Sequence, residues 1–69
     1  MNITAFTTQH NHDSIIEAIA LITICYVDRG NLTVNIPCAD QRIIDLLSNS
    51  DVAFGIEGNY KYEKLEATQ

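Results

Sequence analysis

The residues of this sequence with the most versatile chemistry are two histidines and several aspartates. His10, His12 and Asp13 stand close together, and Asp28 and Asp51 follow later in the chain. Imidazole and carboxylate groups together ligate zinc or another divalent ion, or share a proton as acid and base. However, His10-x-His12 has no third ligand at a diagnostic spacing. We therefore predict no metal site. His10, His12 and Asp13 are the residues that come nearest to forming one.

The two cysteines do not form a recognisable catalytic or metal-binding motif. Cys25 and Cys38 make no CxxC pair. A catalytic thiol needs a nearby base and an electropositive setting. Cys38 precedes a predicted helix, but Asp40 follows it closely and opposes thiolate formation. The glycines are isolated as well, so the sequence contains no glycine-rich phosphate-binding loop. We therefore predict that both thiols are structural, and that the protein has no cofactor and is not an enzyme.

The length and net charge of the chain indicate which classes of molecule it could bind. The 69 residues suit one domain, residues 1–69, with residues 66–69 as a frayed tail. The formal net charge is −5, and four scattered cations cannot form the basic patch that nucleic acids or anionic membranes require. An acidic chain more readily meets a basic protein. With no signal-peptide pattern and no apolar run long enough to span a bilayer, we expect a cytoplasmic protein.

The first half of the chain predicts a strand, a helix and a hairpin. Residues 2–8 are rich in Thr, Ile and Phe, which is typical of a strand. The pattern from Ser14 to Glu17 resembles a capping box and predicts the start of a helix. That helix ends either at Arg29, with Gly30 as its C-terminal cap, or near Ala20. The β-branched residues of the stretch 21–27 favour the second alternative, in which this stretch is a strand.

A three-residue loop would join residues 21–27 to the next strand. With Asp28, Arg29 and Gly30 in the loop, and Gly30 in the left-handed conformation, the facing pairs alternate in phase. One face then carries only apolar pairs, namely Tyr26 with Leu32, Ile24 with Val34 and Ile22 with Ile36. The other face pairs Cys25 with Thr33 and Thr23 with Asn35.

The remaining elements complete an α+β fold. An amphipathic pattern predicts a helix over residues 39–48, strand 52–56 follows, and a turn at residues 57–59 leads into an extra C-terminal strand. The order β-α-β-β-α-β resembles the two-layer ferredoxin-like arrangement, with both helices on one face of an antiparallel sheet. Its strand order would be 4-1-3-2, with the extra strand beside the fourth. Such a fold predicts geometry and not activity.

The sheet face opposite the helices is predicted to be small and uncharged. It would carry Thr23, Cys25, Thr33, Asn35, Ala53 and Gly55, without the stacking aromatics and basic surround of an RNA-binding sheet. Strand 21–27 would form an edge without charge or proline, which favours a homodimer paired through this edge. The predicted interface consists of Leu21, Thr23, Cys25, Val27, Thr33 and Asn35.

These features together favour a small acidic, non-enzymatic protein-binding module that regulates or inhibits a larger partner. Small acidic proteins of phages and other mobile elements act in this way, which is an analogy without a shared motif. One alternative is a homodimeric regulatory domain that senses a small molecule at its interface. A metal-dependent enzyme using His10 and His12 is the third.

Overall fold

The structure is a computed structural model, and it describes residues 1–57. Strand β1 spans Asn2–Phe6, helix α1 His12–Ala20, strand β2 Tyr26–Asp28, strand β3 Thr33–Ile36, helix α2 Gln41–Asn49 and strand β4 Ala53–Glu57. The predicted β-α-β-β-α-β order is confirmed. The predicted extra C-terminal strand and the frayed tail lie outside the described residues.

The four strands form an antiparallel sheet in the order β2-β3-β1-β4, which confirms the predicted strand order. β1 is central, and it pairs Ala5 with Val34 of β3 and with Phe54 of β4. Strand β1 therefore lies between β3 and β4 and connects them in the sheet.

An aliphatic core lies between the sheet and the two helices. Its fully enclosed members come from β1, α1, β3 and α2, and Val52 closes it at the start of β4. Burying each large aliphatic side chain contributes roughly 1.5–3 kcal/mol relative to exposure. The core residues are Ile3, Ala5, Ile15, Ile19, Val34, Ile36, Ala39, Ile43, Leu47 and Val52.

Helix α1 begins two residues before the predicted capping box, so that prediction is wrong. Its N-cap is Asn11, and Ser14 donates its hydroxyl proton to the Asn11 carbonyl (3.0 Å). Thr8 and Asn11 exchange two hydrogen bonds, from Thr8 N to Asn11 Oδ1 (2.8 Å) and from Asn11 N to Thr8 Oγ1 (3.3 Å). This closed turn starts the helix early enough for His12 to enter the interior.

Helix α1 ends at Ala20, as predicted. The prediction that a strand follows immediately after it is wrong. The amides of Ile22 and Thr23 both donate to the Ile19 carbonyl (2.9 Å each), so the chain continues in a turn. Ile22 and Cys25 pack against the core from this turn. Strand β2 consequently has only three residues, Tyr26–Asp28.

The predicted hairpin register is also wrong, by three positions. Val27 faces Val34, Tyr26 faces Asn35 and Asp28 faces Thr33, which leaves a four-residue loop over residues 29–32. Because the shift is odd, every β2 side chain moves to the opposite face. The left-handed residue of the loop is Leu32 (φ 57°) and not Gly30.

Hydrogen bonds explain the longer loop. The Leu32 carbonyl accepts from both Thr7 N (2.9 Å) and Thr7 Oγ1 (2.7 Å), which fixes the loop against the end of β1. The Asp28 carboxylate accepts from Asn31 N (3.2 Å) and Asn31 Nδ2 (2.8 Å). These side-chain contacts offset the unfavourable left-handed backbone at Leu32.

Helix α2 has capping interactions at both ends. The Asp40 carboxylate caps its start by accepting from Arg42 N (2.9 Å). At its end, Val52 N donates to Leu47 O (2.9 Å) and Asp51 N donates to Ser48 O (3.2 Å). This pair of bonds, with Asp51 at φ 58°, forms a Schellman motif, and the buried Leu47 and Val52 supply its hydrophobic contact.

Candidate binding surface

His12 is a buried residue that links three elements. Its side chain is only 5% exposed, and its Nδ1 lies 2.6 Å from Thr7 Oγ1. Since the single Thr7 hydroxyl proton goes to the Leu32 carbonyl, Nδ1 must carry a proton and donate it to Thr7. Nε2 is buried without a hydrogen-bond partner in the described part of the chain. His12 thus ties the start of α1 to β1 and to the hairpin loop.

The other candidate metal ligands are exposed. His10 lies in the turn before α1, and the Asp13 carboxylate accepts from Arg29 Nη1 (2.8 Å). The Arg29 hydrogen bond and charge lower the pKa of Asp13, and the Asn31 side chain lowers that of Asp28. Within residues 1–57, no group of three or more His, Cys, Asp or Glu side chains is placed to hold a metal ion.

The two thiols are both free but differ in setting. Cys38 is exposed just before α2, whereas Cys25 is half-buried and packs against the core. Burial raises the pKa of the Cys25 thiol, which favours the protonated form. The prediction that Cys25 faces the open side of the sheet is wrong, since the register shift turns it toward the helices.

The sheet surface opposite the helices is a continuous face, which we call the open face. On β1 the buried Ile3 and Ala5 point to the helices, so Asn2, Thr4 and Phe6 point away from them. Pairing in register assigns the neighbouring residues to the same face. The open face consists of Asn2, Thr4, Phe6, Tyr26, Asp28, Thr33, Asn35, Ala53 and Gly55, with Glu57 in register at one corner.

The open face carries two exposed aromatic rings, so the prediction that it lacks aromatics is wrong. Phe6 is 52% exposed and Tyr26 is 63% exposed. Side chains alternate between the two faces along a strand, so the inward position of Ile3 could have predicted that Phe6 lies on the open face. The position of Tyr26 depends on the hairpin register, which the apolar pattern predicted wrongly.

The residues predicted to form an interface do not share one surface. Thr33 and Asn35 lie on the open face, as expected, whereas Val27 faces Val34 on the helix side. Thr23 lies in the turn after α1, and Leu21, 89% exposed, directly follows the helix. Together with the inward-turned Cys25, these positions divide the predicted interface among the open face, the helix side of β2 and the turn before β2.

Between the two rings lie the uncharged Thr33 and Asn35 of β3. Asn35 Nδ2 donates to Asn2 Oδ1 (2.7 Å) across β3 and β1. Gly55 is exposed beside Thr4, and a β-carbon added there would contact nothing within 4 Å. Because it has no side chain, Gly55 keeps the open face flat beside Thr4.

One shallow depression lies beside the sheet, at the junction of α2 and β4. Its volume is about 280 Å³, and Leu47, Ser48, Asp51, Val52, Ala53 and Phe54 line it. It is wide open to solvent and separate from β2. It therefore offers little support for a small-molecule site at a β2 interface.

None of the helices within residues 1–57 has the length and apolar character needed to cross a membrane. Comparisons with protein-family models, with curated proteins and with solved structures found no match.

Proposed function

We propose that this chain is a small acidic, non-enzymatic protein-binding module, which regulates or inhibits another protein by holding it on the open face. The observation that carries the proposal is the pair of exposed rings, Phe6 and Tyr26, on a sheet surface whose other described side chains are small or polar and, apart from Asp28, uncharged. Exposed aromatic side chains are enriched at protein interfaces because they bury a large area with few rotatable bonds.

The chemistry of the polar residues supports a binding role over catalysis. Nδ1 of His12 is hydrogen-bonded to Thr7, and its ring is enclosed. The carboxylates of Asp13 and Asp28 have hydrogen-bond partners of their own. These polar groups are engaged in contacts within the fold, whereas no such contact accounts for the exposed rings of Phe6 and Tyr26 in the described part of the chain.

Photo-crosslinking tests this proposal. A benzophenone amino acid replaces Phe6 or Tyr26, and as a matched control it replaces Gln41, an exposed residue of α2. In a lysate of the source cells, positions 6 and 26 are expected to give the same discrete protein adduct, and position 41 none. Equal labelling from all three positions would contradict the open face as the binding surface.

We also propose self-association through β2, which the sequence favoured. All three β2 residues are exposed at an edge of the described sheet, and Leu21 and Ile24 are exposed just before it. Pairing across a two-fold axis would cover this edge. Light scattering at micromolar concentration is expected to give a dimer that Val27→Lys disrupts and Glu17→Lys, on α1, does not. A wild-type monomer would contradict this part of the proposal.

A reducing compartment such as the cytoplasm suits the proposed module. The fold leaves Cys25 and Cys38 as free thiols, one against the core and one exposed. Small domains of oxidising compartments usually pair their cysteines in disulfides.

A further inference from the structure

Among the described side chains, the charge on the open face is one-sided. It comes from Asp28, at the β2 corner. None of the open-face residues is Lys or Arg. The nearest arginine, Arg29, is drawn toward α1 by its 2.8 Å contact with Asp13, and Arg42 is paired with Asp40 on the helix side.

Hydrogen bonding keeps the Asp28 corner negative. Its carboxylate accepts from the Asn31 side chain and backbone, which lowers its pKa without supplying a positive charge. The partners of Asp28 orient the charge but do not neutralise it. A cationic group can therefore still gain from approaching this corner.

The spacing of the rings indicates the shape of the occupant. Phe6 and Tyr26 lie on strands that are separated by β3. Phe6 pairs with Thr33 of β3, and Tyr26 pairs with Asn35, two residues farther along β3. Strand spacing and rise place them roughly 12 Å apart at their α-carbons. One side chain cannot cover both rings, whereas an extended segment of about four residues can.

We infer that the open face binds an extended basic protein segment, with arginine side chains stacked on Phe6 and Tyr26 and drawn by Asp28. The inference rests on the proposed function and names the chemistry of the partner. Aromatic faces attract guanidinium groups, and the neighbouring Asp28 carboxylate adds to that attraction. Single-stranded nucleic acid also stacks on aromatic rings, but its phosphates would meet Asp28 and no basic residue of the face.

Binding is measured by NMR titration of the full-length, ¹⁵N-labelled chain with a seven-residue peptide that alternates glycine and arginine. Amide shifts are expected to centre on β1, β2 and β3. The lysine version should bind more weakly, and the version with neutral citrulline should not bind measurably. A citrulline peptide that binds as well as the arginine peptide would overturn the inference, as would tighter binding of oligothymidine to this face.

Matched variants separate the open face from general acidity. Phe6→Thr and Tyr26→Thr keep β-forming residues and are each expected to weaken arginine-peptide binding about two- to fivefold. Asp28→Asn should weaken binding more than Asp45→Asn, which changes the net charge equally on α2. If these two substitutions weakened binding equally, binding would depend only on net charge, and the inference would be overturned.

Two further measurements keep these tests decisive. Thermal melting of each variant checks the fold, and if Asp28→Asn proves too unstable to fold, the citrulline peptide and the two ring variants decide the inference. If the peptides fail to bind but crosslinking from positions 6 and 26 still yields one specific adduct, the arginine inference is wrong and the protein-binding function stands.

Discussion

Thr7 and His12 show how one hydroxyl group can organise several elements. Thr7 lies just after β1, its hydroxyl donates to the hairpin loop at Leu32, and it accepts from His12 in α1. All of these atoms lie in or next to the buried interior. The contribution of this contact is therefore greater than that of a solvent-exposed hydrogen bond.

Replacing Thr7 with valine should lower the free energy of unfolding by about 1–3 kcal/mol, because the buried His12 N–H loses its acceptor while the side-chain volume is kept. Urea unfolding measures the change. Thr4→Val is the control, since the Thr4 hydroxyl makes no hydrogen bond to the described residues. The control should stay within about 0.5 kcal/mol of wild type. A Thr7→Val variant as stable as this control would refute the assigned role of the hydroxyl.

At the scale of elements, the clearest local conflict between sequence and structure is at the end of α2. Asp51 adopts φ 58°, a conformation that favours glycine, and it places a negative charge beside the helix C-terminus. The Schellman hydrogen bonds and the buried Leu47–Val52 contact hold it there.

Asp51→Gly is expected to raise the free energy of unfolding by about 1 kcal/mol, because it relieves both the backbone strain and the charge. Asp51→Asn removes the charge but keeps a β-carbon, so its gain should be smaller. Ser50→Gly serves as the control, since Ser50 has φ −93° and gains nothing from glycine. The melting temperatures of the three variants should rank in that order, and a stabilised Ser50→Gly would contradict the explanation.

Elements that depend on local pattern could be predicted, and those that depend on individual contacts could not. Apolar spacing around Ile43 and Leu47 indicates α2, and the β-rich stretch at residues 2–8 indicates β1. The hairpin register instead depends on Leu32, whose left-handed backbone is stabilised by Thr7, a residue 25 positions away. A loop containing Gly30 gave no sign of this contact. The missed register in turn concealed Tyr26, one of the two rings of the candidate site.

Across the whole molecule, surface charge pairs should make folding sensitive to acid. The pKa values of Asp13 and Asp40 are lowered mainly by Arg29 and Arg42, and that of Asp28 by Asn31. A carboxyl group whose pKa is lower in the folded chain binds protons more readily when unfolded. Its stabilising effect is therefore complete above the ordinary aspartate pKa of about 3.9 and is lost as the pH falls through the lowered value.

Urea midpoints are accordingly expected to be steady near neutral pH and to fall as the pH drops below about 4. The double variant Arg29→Gln with Arg42→Gln should lose less stability between pH 5 and pH 2 than wild type, because its carboxyl pKa values lie closer to the ordinary one. High salt should reduce the difference, since these pairs are exposed. An identical acid response in the double variant would exclude the arginine pairs as its cause.

The central position of β1 also bears on how the chain is made. Its five residues are synthesised well before the strands with which they pair, Thr33–Ile36 and Ala53–Glu57, which follow some thirty and fifty residues later. Such distant pairings delay folding, because loop closure must precede the contacts that stabilise it. A growing chain would therefore carry Ile3 and Ala5 exposed until their partner strands are made, and the described sheet would close only after residue 57 has been added.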